Sequence, residues 1–229
     1  MLHQAEQRTR GGSAPYRNKW VSLFRAMLQT PIDPVYEEKF DQAVPVSGDT
    51  AKFNFRAKVP VHLRLEWEDT LHRFVRNVVA PLLQCHPDRL GYQSVPTFRI
   101  SPPKKEAIGV PHRDFDYYHQ PAEINIWIPL TKVFGNNTLY TESAPECGDY
   151  HPFILELGQA VSFWGNQCRH YTVPNDTDWT RVSFDIRVVD LDHFDYNYHD
   201  QRGKPSFHKL GEYYHLSSQN RRLIREQYI

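Results

Sequence analysis

The chain has 229 residues, and its 27 lysines and arginines balance its 27 aspartates and glutamates, so the formal net charge is zero. That balance provides no basic field for nucleic acid or an anionic membrane, and no run of about 18 apolar residues could span a bilayer. Cys85, Cys147 and Cys168 are an odd set without C-x-x-C spacing, which fits reduced thiols. With no apolar signal segment in MLHQAEQRTR, the expectation is a cytoplasmic protein whose sequons at Asn136 and Asn175 carry no glycan. The expected partner is a small molecule, and composition leaves the oligomeric state unknown.

Residues 1–15 are polar, contain Gly-Gly-Ser and read as a flexible N-terminus. Residues 16–229 read as one domain: helical support over 16–96, a core over 97–189 and an extension over 190–229. From Tyr16 the spacing of Trp20, Leu23, Phe24, Met27 and Leu28 predicts a helix that Pro31 and Pro34 end. An early strand is expected within 51–65, followed by a helix from Glu66 to Leu83 with Leu71, Phe74, Val75, Val78 and Val79 on one face. A loop then runs to Val95. From Thr97 the texture becomes alternating short segments broken by Pro, Gly, Asn and Asp, which predicts strands at 97–101, 122–130, 137–142, 152–156, 159–164 and 180–189. The pattern is that of a mainly β jelly roll with flanking N-terminal helices; a last helix is expected near 217–227.

Chance placement of 12 histidines among 27 acids gives roughly one or two His-x-acid pairs; the chain has His86-x-Asp88, His112-x-Asp114 and His193-x-Asp195. Context separates them. A non-haem Fe(II) site takes two histidines and one carboxylate on one face of the metal. His170 follows His112 by 58 residues with about four candidate strands between, and Arg181 follows His170 by 11. That spacing lets a guanidinium reach the far carboxylate of a metal-bound dicarboxylate. His86 sits beside Pro87 in what reads as a surface turn, and too few strands fit between His193 and His215. The competing explanation for His112, Asp114 and His170 is a structural polar network.

In Glu123-Ile-Asn-Ile-Trp-Ile-Pro-Leu, the residues Ile124, Ile126, Ile128 and Leu130 form one face and Glu123, Asn125 and Trp127 the other. Segment 180–189 repeats the arrangement, with Val182, Phe184, Ile186 and Val188 opposite Arg181, Ser183, Asp185 and Arg187. The polar face reads as a functional interior wall; a solvated surface is the alternative.

The blocks HRDFDYYHQPAEINIWIPLT, FGNNTLYTES and GNQCRHYTVPNDTDWTRVSFDIRV resemble the Fe(II)/2-oxoglutarate-dependent dioxygenases, and within them the streptomycin-biosynthesis StrG-like proteins near the phytanoyl-CoA dioxygenase branch. The resemblance covers about residues 97–189. It implies a double-stranded β-helix (cupin-like), Fe(II), 2-oxoglutarate and O2 as cofactor and co-substrates, iron ligands His112, Asp114 and His170, and 2-oxoglutarate binding by Arg181. Thr172 matches a position that supplies a hydroxyl to the same carboxylate, with Ser183 as the alternative. Trp127 matches a tryptophan beside the co-substrate, and Asn125 shares its face. The implied activity is oxidation of a small metabolite, hydroxylation by default, with desaturation, ring closure and epimerisation open.

Asp116, Tyr118, Glu123, Asn137 and Glu142 lie near these segments in sequence and are the expected contacts for an aminosugar, aminocyclitol or amino-acid-like substrate. Arg99, Arg113 and Arg187 could instead satisfy those acids internally. His119, His151 and His208 are expected to be surface or hydrogen-bonded core groups, and Cys168 a packing residue. Two further functional readings stand beside the oxygenase: a jelly-roll metal enzyme that does not use 2-oxoglutarate, and a non-enzymatic β-sandwich binding module.

Overall fold

The computed structural model describes residues 7–9, 15–20, 51–52, 61–107, 110–156 and 158–218. In chain order its strands are β1 (Gln7–Arg8), β2 (Ala51–Lys52), β3 (Leu90–Gln93), β4 (Thr97–Ser101), β5 (Glu123–Pro129), β6 (Tyr140–Thr141), β7 (His151–Pro152), β8 (Val161–Phe163), β9 (His170–Tyr171), β10 (Arg181–Asp190) and β11 (Tyr214–Leu216). Helix α1 (Val61–Phe74) continues through a π-helical turn, Val75–Val79, into Ala80–Leu82. Among the described residues no helix is long and apolar enough to cross a membrane.

The larger sheet has eight strands, with β1-β8-β5-β10-β3-β11 as its main path, β4 pairing β10 and β2 pairing β4. The smaller sheet runs β7-β6-β9. All pairings within both sheets are antiparallel. The central strand β10 pairs along one edge with β5, and along the other first with β4 and then with β3.

Alternation in β5 and β10 decides what faces what. The register sets Ile186 against Ile126 and Phe184 against Ile128, so their apolar sides form one continuous surface. Trp67, Leu71 and Phe74 of α1 and Trp20 of the helical stretch 15–20 pack on it, all fully buried. Trp20 meets Phe184 edge-on at 5.0 Å, an arrangement that suits the aromatic quadrupoles. The opposite, polar side of β10 faces the interior between the sheets rather than solvent: Arg181 is 3% exposed and Ser183 0%. A second apolar cluster containing Trp127, Leu139, Phe153 and Phe163 fills the rest of that space.

Several expectations need correction. The polar N-terminus contains β1, whose Gln7 and Arg8 pair with Ser162 and Val161, because the free edge of β8 offers backbone partners. The stretch expected as a loop before Val95 contains β3; its four residues are all buried, so it lacks the alternation that marks a half-exposed strand. Gly91 in β3 is required by crowding, since an added Cβ would lie 2.9 Å from Val189. Within 51–65, β2 spans two residues and α1 already begins at Val61. The segment before the expected last helix is β11, and residues 219–229 lie outside the described residues, as do 21–50, which include the first expected helix beyond Trp20. Strands expected at 137–142, 152–156 and 159–164 are shorter: Tyr140–Thr141, His151–Pro152 and Val161–Phe163.

Candidate metal centre

Four strands, β5 to β8, separate His112 from His170, and the fold returns the two histidines to each other. The His112 amide donates to the His170 carbonyl at 3.2 Å, and the His170 amide to the His112 carbonyl at 2.9 Å. This isolated bridge continues the pairing of β9 with β6 past the sheet edge. Asp114 opens a 3-10 turn, Asp114–Tyr117, whose first two amides donate to Gly165 and Asn166 carbonyls just upstream of His170. Backbone bonds thus fix both halves of the site.

The ligand atoms of His112, Asp114 and His170 all lie within 4.8 Å of one another. His112 Nδ1–H donates to the Val110 carbonyl at 2.9 Å, and His170 Nδ1–H to the Cys168 carbonyl at 3.1 Å. A carbonyl can only accept, so in both rings Nδ1 carries a proton, and Nε2 is the nitrogen left to offer a lone pair when the ring is neutral. His170 Nε2 lies 3.9 Å from Asp114 Oδ1, a separation a shared cation can bridge. The rings sit 4.5 Å apart at 53°, so their planes can converge on one ion. Burial, with His112 nearby, lowers the pKa of His170 and favours the neutral form a metal requires.

Asp114 is 1% exposed and is held by a group the sequence reading did not assign to it. Arg187 Nε donates to Oδ2 and Arg187 Nη2 to Oδ1, both at 2.9 Å, while Asn125 Nδ2 donates to Oδ2 at 2.7 Å. Burial alone would raise the carboxyl pKa, but the Arg187 charge, followed by His170, holds it well below the ordinary carboxylate range. Gly165 makes room for this arrangement: an added Cβ would stand 2.8 Å from Asn125 Cγ. Arg187 could have been suspected from its parity with Arg181 on β10; nothing local signals Gly165.

Arg99, Trp127, Thr172, Arg181 and Asp185 line one cavity together with His112, His170, Asn125 and Arg187. Arg181 Nη1 donates to the Thr138 carbonyl at 3.1 Å, its guanidinium carbon lies 6.0 Å from the centre of the Trp127 ring, and its Nε has no acceptor among the described residues. Burial and then the charge of Arg99 bring the Arg181 pKa down to about 10, so it stays cationic at neutral pH. Ser183 Oγ, fully buried, has no partner among them either.

Four of the five expected substrate contacts are engaged within the protein. Asp116 caps its own 3-10 turn, accepting from the Arg113 amide at 3.0 Å and from Arg113 Nη2 at 3.1 Å. Asn137 shapes its loop by accepting from the Phe134 amide at 2.8 Å. Glu142 accepts from the amides of Gly148 and Arg169, at 3.0 and 2.6 Å. Glu123 is fully buried and accepts from Tyr214 Oη and His119 Nδ1. These internal bonds share one cause: loops around a buried site contain amides and cations that need acceptors. Tyr118, the fifth, adopts a left-handed backbone (φ 72°) at the end of the turn and lies under the Arg202 guanidinium at 3.6 Å.

His119, Glu123 and His208 also bring three possible ligand atoms within 4.8 Å. Their geometry is that of a hydrogen-bonded stack, with the two rings 3.7 Å apart and 16° from parallel. A metal lies in the plane of each imidazole it binds, and stacked rings share no such point. The rival His-x-acid pairs are surface turns: His86 Nδ1 accepts from the Asp88 amide at 3.2 Å, and His193 Nδ1 bonds Asp190 Oδ2 at 3.0 Å.

No model of a known protein family matches the chain. It is similar to the streptomycin biosynthesis protein StrG of Streptomyces griseus, with 34% identity over 202 residues that cover 88% of this chain and 98% of StrG. Among solved structures it is similar to the non-heme alpha ketoglutarate dependent epimerase SnoN from nogalamycin biosynthesis, at TM-score 0.56 and 14% identity over 93% of each chain. It is also similar to the carbocyclase SnoK from the same biosynthesis, at TM-score 0.54 and 12% identity over 93% of this chain and 92% of SnoK. SnoN has been solved in complex with Fe3+, alpha ketoglutarate and nogalamycin RO. At these identities the structural likeness establishes a shared fold.

Proposed function

Because the chain belongs to the family of the streptomycin biosynthesis protein StrG, we propose that it is an Fe(II)- and 2-oxoglutarate-dependent oxygenase acting on a small polar metabolite of natural-product biosynthesis. The observation that carries this reading is the pair of histidines whose Nδ1 protons are both committed to backbone carbonyls beside a buried carboxylate, in a cavity that Arg181 also lines. Two neutral imidazoles and one carboxylate form the donor set of a non-haem Fe(II) centre. A metal enzyme without 2-oxoglutarate leaves the buried Arg181 Nε without a use, and a binding module leaves the triad without one. We read the two sheets as a double-stranded β-helix within a single domain of residues 16–229. The placement near the phytanoyl-CoA dioxygenases rests on Thr172 and Trp127.

In this reading His112, Asp114 and His170 hold the iron, and Arg187 with Asn125 keeps Asp114 ionised and oriented. Arg181 takes the distal carboxylate of 2-oxoglutarate, with Thr172 beside it in the same cavity. Trp127, Leu139 and Phe163 line that cavity with apolar surface and limit water. Bound iron supplies activation of O2, coupled to decarboxylation of 2-oxoglutarate to succinate. The substrate enters on the His112 side, where exposed Tyr117 stands edge-on to the His112 ring at 5.2 Å. An aminosugar, aminocyclitol or amino-acid-like molecule is the substrate class we propose, with hydroxylation as the default outcome.

The test is anaerobic addition of Fe(II) and 2-oxoglutarate to the purified protein, followed by O2 and a metabolite screen scored by succinate release. A weak visible charge-transfer band and substrate-dependent succinate are expected. Absence of the band with both components present at saturating concentration refutes the reading.

A further inference from the structure

Arg99 and Arg181 stand on neighbouring antiparallel strands, and the register pairs Ser183 with Arg99 and Arg181 with Ser101. Both guanidiniums line the cavity that holds the two metal-site histidines. Arg99 Nη1, Arg181 Nε and Ser183 Oγ are buried and have no hydrogen-bond partner among the described residues. The carboxylates nearby answer them in part at most: Asp114 is bound on both oxygens by Arg187, and Asp185, which lines the cavity and offsets some of the Arg181 charge, pairs with Arg187 Nη1 at 3.3 Å. The proximity of Arg99 also depresses the Arg181 pKa, after burial, as expected for like charges facing each other.

Two like charges with unfilled donors in one buried space are costly unless an anion joins them. A carboxylate fits that demand, since its two oxygens accept about four hydrogen bonds and each can face a separate guanidinium. Inorganic anions would satisfy charge alone, but the cavity also opens onto the metal triad. Its occupant is thus expected to chelate the metal at one end and present a carboxylate at the other.

We propose that Arg99 is a second anchor for the distal carboxylate of the 2-oxo acid, acting with Arg181 across the β4–β10 pair, and that this double anchor selects dicarboxylic over monocarboxylic 2-oxo acids. The inference rests on the reading of the chain as a 2-oxoglutarate-dependent enzyme. It assigns Arg99 a role in recognition and makes the ligand-free cavity a place where stability is sacrificed for binding.

The experiment uses full-length protein loaded with Co(II), without O2, titrated calorimetrically with 2-oxoglutarate and with 2-oxopentanoate, which has the same carbon chain but no distal carboxylate. Arg99→Met should weaken 2-oxoglutarate binding roughly 10- to 100-fold, the range for losing a hydrogen bond to a charged group. It should change 2-oxopentanoate binding less than about threefold, leave Co(II) affinity unaltered, and raise the melting temperature of the metal-free, ligand-free protein by removing one of two facing cations. Arg99→Lys, which keeps the charge and loses the fork, should fall between wild type and Arg99→Met, and covers the case in which Arg99→Met folds poorly. Unchanged 2-oxoglutarate binding in Arg99→Met alongside loss in Arg181→Met overturns the second anchor and leaves the functional reading standing. Equal weakening of both oxo acids overturns it as well, since it indicates a distorted cavity. Failure of the wild type to bind 2-oxoglutarate removes both the anchor and the functional reading.

Discussion

Arg187→Met removes one charge from beneath the metal site while keeping most of the side chain's bulk. Asp114, 1% exposed, would lose both of its 2.9 Å bonds to Arg187 and retain only the 2.7 Å bond from Asn125 Nδ2. Opposite charges roughly 4 Å apart at an effective dielectric near 20 attract by about 4 kcal/mol. Stranding one partner of a buried pair costs about 3–5 kcal/mol. The two routes agree, so urea denaturation of the metal-free variant at pH 7 should show a loss of about 3–5 kcal/mol. The pH dependence has a definite sign. The Asp114 pKa is depressed in the folded protein because the Arg187 charge, then His170, outweighs burial. Its contribution is therefore present above the unfolded value of about 3.9 and lost as pH falls through the folded value. Without Arg187 burial is unopposed, the carboxyl moves upward, and acid unfolding should begin at higher pH. Adding Asp114→Asn removes the stranded charge, so the double variant should be more stable than Arg187→Met alone. A loss under about 1 kcal/mol in the single variant, or strict additivity in the double, would refute the claim that Arg187 holds Asp114.

His170→Ala should abolish Co(II) binding and turnover with little change in fold, whereas Asp114→Ala should also destabilise, because it strands Arg187; equal stability of the two variants by urea melts contradicts this. Gly165→Ala should push Asn125 away from Asp114 and weaken metal binding by roughly tenfold, read by calorimetry; unaltered affinity means the loop yields without disturbing Asn125. Burial, with His119 and Arg187 beside it, lowers the His208 pKa to about 3. Stability should therefore fall as pH drops from about 6.5, by at most about 2 kcal/mol at pH 5. His208→Phe should flatten that part of the curve while keeping a ring against His119, and a parallel curve rules out His208 as the source.

The convergence of His112, Asp114 and His170 was legible because its logic is topological: a His-x-Asp pair and a histidine four strands later in an antiparallel fold leave few other arrangements. The buried polar face of β10 was legible because strict alternation over Val182 to Val188 left its polar side only two destinations, solvent or a cavity. The internal partners of the expected substrate contacts were not legible, because proximity in sequence does not reveal which amides a carboxylate must satisfy; Glu142 serves Gly148 and Arg169, and Asp116 serves Arg113. The partner of Asp114 was hidden by distance, since Arg187 lies 73 residues away and the bond exists only after β5 and β10 pair. β3 and β11 escaped because short strands buried on both faces show no period.

The tail after residue 190, which shares little with the resemblance blocks, supports the site from behind. Tyr214 of β11 donates to Glu123, and Glu123 Oε2 receives His119 Nδ1 at 2.7 Å and lies 3.9 Å from Arg187 Nε. Tyr198 Oη and Gln201 Nε2 reach the carbonyls of His119 and Phe115, on the segment that carries Asp114 into β5. Arg187 therefore stands between two buried carboxylates, one in the candidate metal triad and one tied to the tail. A single cation shared this way cannot move toward either without weakening the other, which holds its fork, and with it Asp114, in one position before any metal arrives. If the triad binds iron as proposed, variation in the tail alters metal affinity without touching a ligand, because its pull on Glu123 is transmitted through Arg187 to Asp114.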